Sequence, residues 1–213
     1  MSAPIPLIAL SLALFAAPAF GNDAAFEPVI CEGVFGPESS EALLIETYGA
    51  DNVVTGMVPG PEGMEYLAST VFPDDPERVM EFAWFDEEKR EYLSSVELSP
   101  SQITPTGLRL GLTVAEVEEL NGAPYNIGGF WWDYGGGAWF ETGKLVNPDG
   151  GCGVWIRFDT DMENPANVDV TPISGEVTVP SSEPLLHELD FRVNRLSLGY
   201  PWPEELPQPE YAD

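Results

Sequence analysis

Five aromatic side chains fall within ten residues: Trp131, Trp132, Tyr134, Trp139 and Phe140. At that density aromatics anchor protein interfaces or stack on sugar rings, because each offers a large flat apolar surface, and Trp and Tyr add a polar edge. The same residues would also serve as the core of a small sheet. Trp131 cannot share a strand face with Trp132 unless a bulge intervenes, so part of the cluster is expected at the surface. Trp131, Trp132, Tyr134 and Trp139 are the binding candidates.

Other chemistry is sparse. Asp159, Asp161 and Glu163 alternate in a loop-like FDTDMEN segment, a spacing that could offer oxygens to Ca²⁺. The EF-hand pattern is not met, and in so acidic a chain the triplet is expected by chance, so the sequence calls for no metal and no cofactor. Paired carboxylates for glycoside hydrolysis cannot be picked from so many acids. The single histidine, His187, makes no nucleophilic triad by itself, and no G-x-S-x-G, zinc-spaced histidine or phosphate-loop motif is present. The two cysteines, Cys31 and Cys152, have no basic neighbour in sequence that would make a reactive thiol, and their even count fits a disulfide in an oxidising compartment.

Export is itself a sequence reading. Leu7–Ala17 is an apolar run of signal-peptide length followed by Ala19-Phe20-Gly21, which predicts a signal peptide over residues 1–21 and a periplasmic or secreted protein. No later run is long enough to insert into a membrane. With 36 acidic against 8 basic residues the formal charge is −28. That argues against nucleic acid, since nothing would neutralise phosphates, and it predicts a monomer held in solution by self-repulsion.

The elements that must position the aromatics are punctuated clearly. Thr113 and Glu116 form a capping box, Leu112 and Val117 a hydrophobic staple, and Gly122 with Pro124 stops the chain, so a helix is expected over about residues 114–121. A similar cap, Ser40, and a similar stop, Gly49, bracket a helix over 41–48 at an offset of 73 residues. An internal duplication follows as the expectation. After the first helix, residues 64–72, 78–85 and 92–98 read as strands. After the second come 127–134, a pairing at 138–141, the strong strand GVWIRFD at 153–159, and a closing stretch at 186–198. Residues 26–35 read as a short strand carrying Cys31, and 100–105 as a linker. The fold class is α+β, with two related units, each a short helix packed on an antiparallel meander: 22–106 and 107–200. A proline- and acid-rich tail, expected to be disordered, follows at 201–213.

The run Gly111-Leu-Thr113, Glu116-Val117 and Gly122-Ala-Pro124 resembles the helix signature of the small outer-membrane-assembly lipoproteins of the SmpA/OmlA type. It is similar also to the tandem modules of β-lactamase inhibitor protein. The resemblance implies a helix packed on an antiparallel sheet and an activity of binding other proteins rather than catalysis. No lipid-attachment cysteine is present, and Cys31 and Cys152 do not reproduce the inhibitor's within-repeat pairs. The function expected is therefore an exported, non-enzymatic interaction protein with a protein partner. The alternatives are a carbohydrate-binding module on the Trp131–Trp139 cluster with a glycan ligand, and an acid-dependent hydrolase.

Overall fold

A computed structural model of the protein describes residues 26–146, 151–161 and 168–208. The expected signal peptide, Glu163 of the acidic triplet, and the end of the tail lie outside the described residues.

Both punctuated helices form as their caps dictate. Helix α1 is Glu41–Tyr48, where the Ser40 hydroxyl accepts from the Leu43 N–H. Helix α2 is Val114–Asn121, with the full Thr113/Glu116 capping box and a left-handed Gly122 at its end. The two helices begin and end 73 residues apart (114 − 41 and 121 − 48). Their stops differ, because Gly49 leaves α1 at φ 89°, ψ 142° rather than in the left-handed well. A third helix, α3 (Pro184–Glu188), has proline in its first turn and is one turn long.

The strands run in chain order as β1 (Glu27–Pro28), β2 (Val53–Pro59), β3 (Glu65–Val71), β4 (Met80–Asp86), β5 (Glu91–Glu97), β6 (Gln102–Ile103), β7 (Asn126–Gly128), β8 (Ala138–Trp139), β9 (Gly153–Asp159), β10 (Thr178–Pro180) and β11 (Arg192–Gly199). Six of them form one sheet in the order β2-β3-β4-β5-β11-β9, antiparallel throughout. The join lies at β5 and β11, where Glu97 faces Ser197 and Ser95 faces Gly199. Strands from both halves of the chain thus share one hydrogen-bonded ladder. Beyond β9 the bridge Gly137↔Arg157 leads on to a three-stranded sheet, β10-β7-β8. The N-cap residues of α1 and α2 each bridge the first residue of the last strand that their half contributes to this six-stranded sheet: Ser40 to Glu91, and Thr113 to Arg192.

One apolar core lies under the helical side of this sheet. It gathers Leu44 from α1, Val114 and Val117 from α2 and Leu186 from α3 with Phe82, Leu93, Ile156, Phe158, Val193 and Leu196 from the strands. The alternation that buries them is readable in β4, where Met80, Phe82 and Trp84 point inward, and in β9, where Ile156 and Phe158 do.

Several expectations are corrected. The expected strand at 26–35 shrinks to β1, which pairs in parallel with β6, and Cys31 sits in the bend that follows. The expected linker at 100–105 is a packed crossing: Gln102 and Thr104 are buried, the Gln102 side chain accepts from the Ser99 N–H, and Thr104 Oγ1 accepts from the Leu108 N–H. The expected strand 127–134 stops at Gly128, and residues 129–137 turn back on themselves. Gly136 makes that turn possible, with φ +80° and a virtual Cβ only 2.2 Å from the Phe158 carbonyl oxygen. Residues 201–208 carry no helix or strand, yet Trp202 packs edge-on against Phe85 at 5.0 Å.

Cys31 and Cys152 are joined, with Cα atoms 5.9 Å apart. The bond ties the segment after β1 to the residue before β9. It therefore links the first strand to the far half of the sheet without making β1 part of that sheet.

Candidate functional site

Among the described residues, the side of the six-stranded sheet away from the helices carries no layer of secondary structure. Register assigns its residues. Glu81 faces Glu97 across β4 and β5, Trp155 faces Ser197 across β9 and β11, and Arg157 faces Arg195. The bridge Gly137↔Arg157 carries the same alternation to β8, so Trp139 lies on this side too. Small residues, among them Ala83, Ser95 and Ser197, floor its middle.

Trp155 has a built position on this surface. It is 55 % exposed, yet a Cβ added to Gly153 would fall 2.5 Å from the indole ring, and one added to Gly199 would fall 2.7 Å from it. The ring therefore lies down over two glycines, with the other surface turned to solvent. An indole held in this way has little rotamer freedom left to lose on binding.

The sheet curls so that its two ends approach. Tyr134, in the 129–137 turn, lies close enough to Glu62 at the tip of the β2–β3 hairpin for that carboxylate to raise its hydroxyl above the usual range. Between them lies a cleft of about 740 Å³ lined by Pro59, Glu62, Trp132, Asp133, Arg157 and Arg195. Trp132 is fixed by its indole N–H donating to the Gly129 carbonyl at 2.8 Å and by an edge contact with Tyr134.

The open side carries Glu81 and Glu97 on β4 and β5 and Arg195 and Arg157 on β11 and β9, with Asp159 at the end of β9. The Arg195 Nε lies 3.2 Å from the Glu97 carboxylate. Burial, reinforced by the facing Glu81, pushes the Glu97 carboxyl above the usual carboxylate range against the opposite pull of Arg195. Burial and the same two carboxylates raise the Tyr66 hydroxyl.

Of the four aromatic candidates, Trp132, Tyr134 and Trp139 lie around this surface. Trp131 does not. It takes φ +61° and packs edge-on against Phe130 and Phe191, so Trp131 and Trp132 have different surroundings although neither lies on a strand. Trp155, Arg157 and Arg195 were missed, although the alternation of GVWIRFD carries the signal: Ile156 and Phe158 inward place Trp155 and Arg157 outward.

The remaining chemistry resolves into structure. His187 Nε2 is 3.1 Å from the backbone oxygen of Ser181, not from its hydroxyl. That hydroxyl is buried, donates to Glu118 and accepts from the Tyr125 N–H at 3.2 Å. A nucleophile would need its hydroxyl on the imidazole and open to substrate. Asp159 and Asp161 border a shallow depression with Asp190, which Arg192 neutralises. Among the described residues no group of three acidic, His or Cys side chains is arranged to hold a metal, and no helix is long and apolar enough to cross a membrane.

No family model matches the chain, and no curated protein or solved structure matches it.

Proposed function

We propose that the chain is an exported, non-enzymatic binding protein that takes a protein partner on the open side of its sheet. The observation that carries this reading is Trp155, held over Gly153 and Gly199 beside Arg157 and Arg195. Trp, Tyr and Arg are the residue types in which binding energy concentrates at protein interfaces. A fixed indole flanked by arginines, on a concave surface free of helices, fits that chemistry.

The two-unit organisation belongs to the same proposal. It is supported by equal helices 73 residues apart, by the matching bridges from Ser40 and Thr113, and by the shared order of helix then meander. The resemblance of Gly111–Pro124 to the assembly lipoproteins and the inhibitor modules adds a second line. Export rests on the apolar run at residues 7–17 and agrees with a disulfide between Cys31 and Cys152.

The test is capture from the source organism's exported proteins with the intact mature protein as bait. One partner should be retained by the wild type and by Ile45→Ala on α1, and lost with Trp155→Ala and with Arg157→Ala. Retention by all four baits would defeat the reading.

A second reading is favoured by the same indole, since a pyranose ring also stacks on a flat exposed Trp. Binding on a glycan array, lost in Trp155→Ala or Trp132→Ala, would replace the protein partner with a glycan. The hydrolase reading needs two facing carboxylates, which Glu81 and Glu97 provide. It ranks last because Glu97 is already engaged by Arg195.

A further inference from the structure

The edge of the sheet at β2 is a second surface, which meets the open side at its Pro59–Glu62 end. Seven residues pair with β3 in unbroken register from Val53↔Val71 to Pro59↔Glu65. Two bonds at its ends fix which groups are used: the Phe72 N–H donates to the Asn52 oxygen at 2.8 Å, and the Gly60 N–H to the Met64 oxygen at 2.6 Å. Antiparallel bonding alternates, so Val54, Gly56 and Val58 bond to β3, while Thr55 and Met57 turn their N–H and C=O groups outward. The Val53 N–H is taken by the Ala50 oxygen. Among the described residues, Thr55 and Met57 therefore present donors and acceptors along the edge that no other strand takes up.

Protein edges of this kind are normally blunted by charge, bulges or inward-facing ionic groups. Here residues 52–61 carry no charge at all, in a chain with 44 charged residues (36 + 8). The edge is regular, and Val54 and Met57 are 55 % and 58 % exposed. Its only interruptions are Gly56 and the terminal Pro59. Charge returns at both ends, with Asp51 on one side and Glu62 and Glu65 on the other.

We infer that β2 accepts an added strand: an extended segment of another protein with alternating apolar residues at its centre and Lys or Arg at its ends. The free groups of Thr55 and Met57 supply the backbone bonds, and Val54 and Met57 supply apolar contact. The acidic ends select the sign of the partner's flanks. A second copy of this chain is the wrong occupant. Paired antiparallel about Thr55, it would bring each Asp51 toward the Glu62 end of its mate, between two bodies of formal charge −28.

The test uses the intact mature protein and a blocked peptide, Lys-Val-Thr-Val-Thr-Val-Lys, read by backbone amide NMR shifts. The amides of Thr55 and Met57 should move on titration. The same core flanked by Glu should bind more weakly by about tenfold or more. Met57→Pro removes an outward donor together with the Met57 side-chain contact, at an edge where proline is tolerated, so the protein should fold and lose peptide binding by about tenfold or more. Thr55→Pro repeats the test if Met57→Pro fails to fold. Trp155→Ala should leave peptide binding unchanged, which separates this edge from the open side of the sheet. Any of four results would overturn the inference: no binding, equal binding of the Glu-flanked peptide, binding undiminished by the proline, or concentration-dependent self-pairing through the same amides.

Discussion

At the residue scale, two glutamates make opposite contributions to the dependence of stability on pH. Glu116 is held below the usual range, first by the Thr113 backbone N–H it accepts from, then by the Thr113 hydroxyl. Its contribution is present above the ordinary value of 4.5 and is lost as pH falls through the depressed one. Glu97 is raised above 4.5, so the native state holds its proton where the unfolded chain has released it. Stability should therefore fall as pH rises through the window between 4.5 and the raised value. Denaturant melts from pH 3 to 8 should show each component vanish in Glu116→Gln and Glu97→Gln respectively; a Glu97→Gln profile parallel to wild type would disprove the assignment. Trp155 gives a second residue-scale prediction. Gly153→Ala must lift the indole, since the three atoms nearest the added Cβ all belong to that ring, so its fluorescence should change while stability moves by less than about 1 kcal/mol. An unchanged spectrum would mean that the ring does not lie over Gly153.

At the element scale, helix α2 shows how much a short sequence can specify. The capping box, the staple and the Gly122 stop delimit it to the residue, and Thr113→Ala should cost about 1 kcal/mol in a thermal or urea melt. Its last residue was not legible as a key. The buried Asn121 side chain donates to the Ala123 and Thr142 carbonyls and accepts from the Leu145 N–H, holding the chain after β8 against the helix end. Asn121→Ala leaves those three groups unpaired and should cost about 2–3 kcal/mol, more than the cap. Strands β3, β4, β5 and β9 were legible because alternation or a dense β-branched and aromatic run marks them. Strand β2 was not, because Gly56 and Pro59 weaken its pattern and both faces of VVTGMVP are apolar or small. Helix α3, at five residues, is too short to show a helical period. The 129–137 turn was hidden by its own aromatics, which favour strand on propensity while Gly129 and Gly136 permit backbone approaches that no other residue allows. The candidate site was half legible for the same reason: aromatic density drew attention to the turn, while the better-placed Trp155 stood alone in sequence.

At the scale of the whole molecule, the halves are tied together three times: by the β5–β11 ladder, by the common core and by the Cys31–Cys152 bond. Thermal unfolding should be a single transition. Cys152→Ser, or reduction, should lower its midpoint without splitting it. The chain-entropy estimate for the 121-residue separation puts the loss at roughly 4–5 kcal/mol as an upper figure. Two separated transitions would show that the halves fold independently. The central claim is that the open side of this shared sheet, and not its helical side, is where the protein meets its partner. It is tested most directly by placing a photo-crosslinking residue at position 155 and, separately, at position 45 on α1, and irradiating cells that produce the protein. One discrete protein adduct is expected from position 155 and none from position 45. An adduct from position 45 with none from position 155 would contradict it.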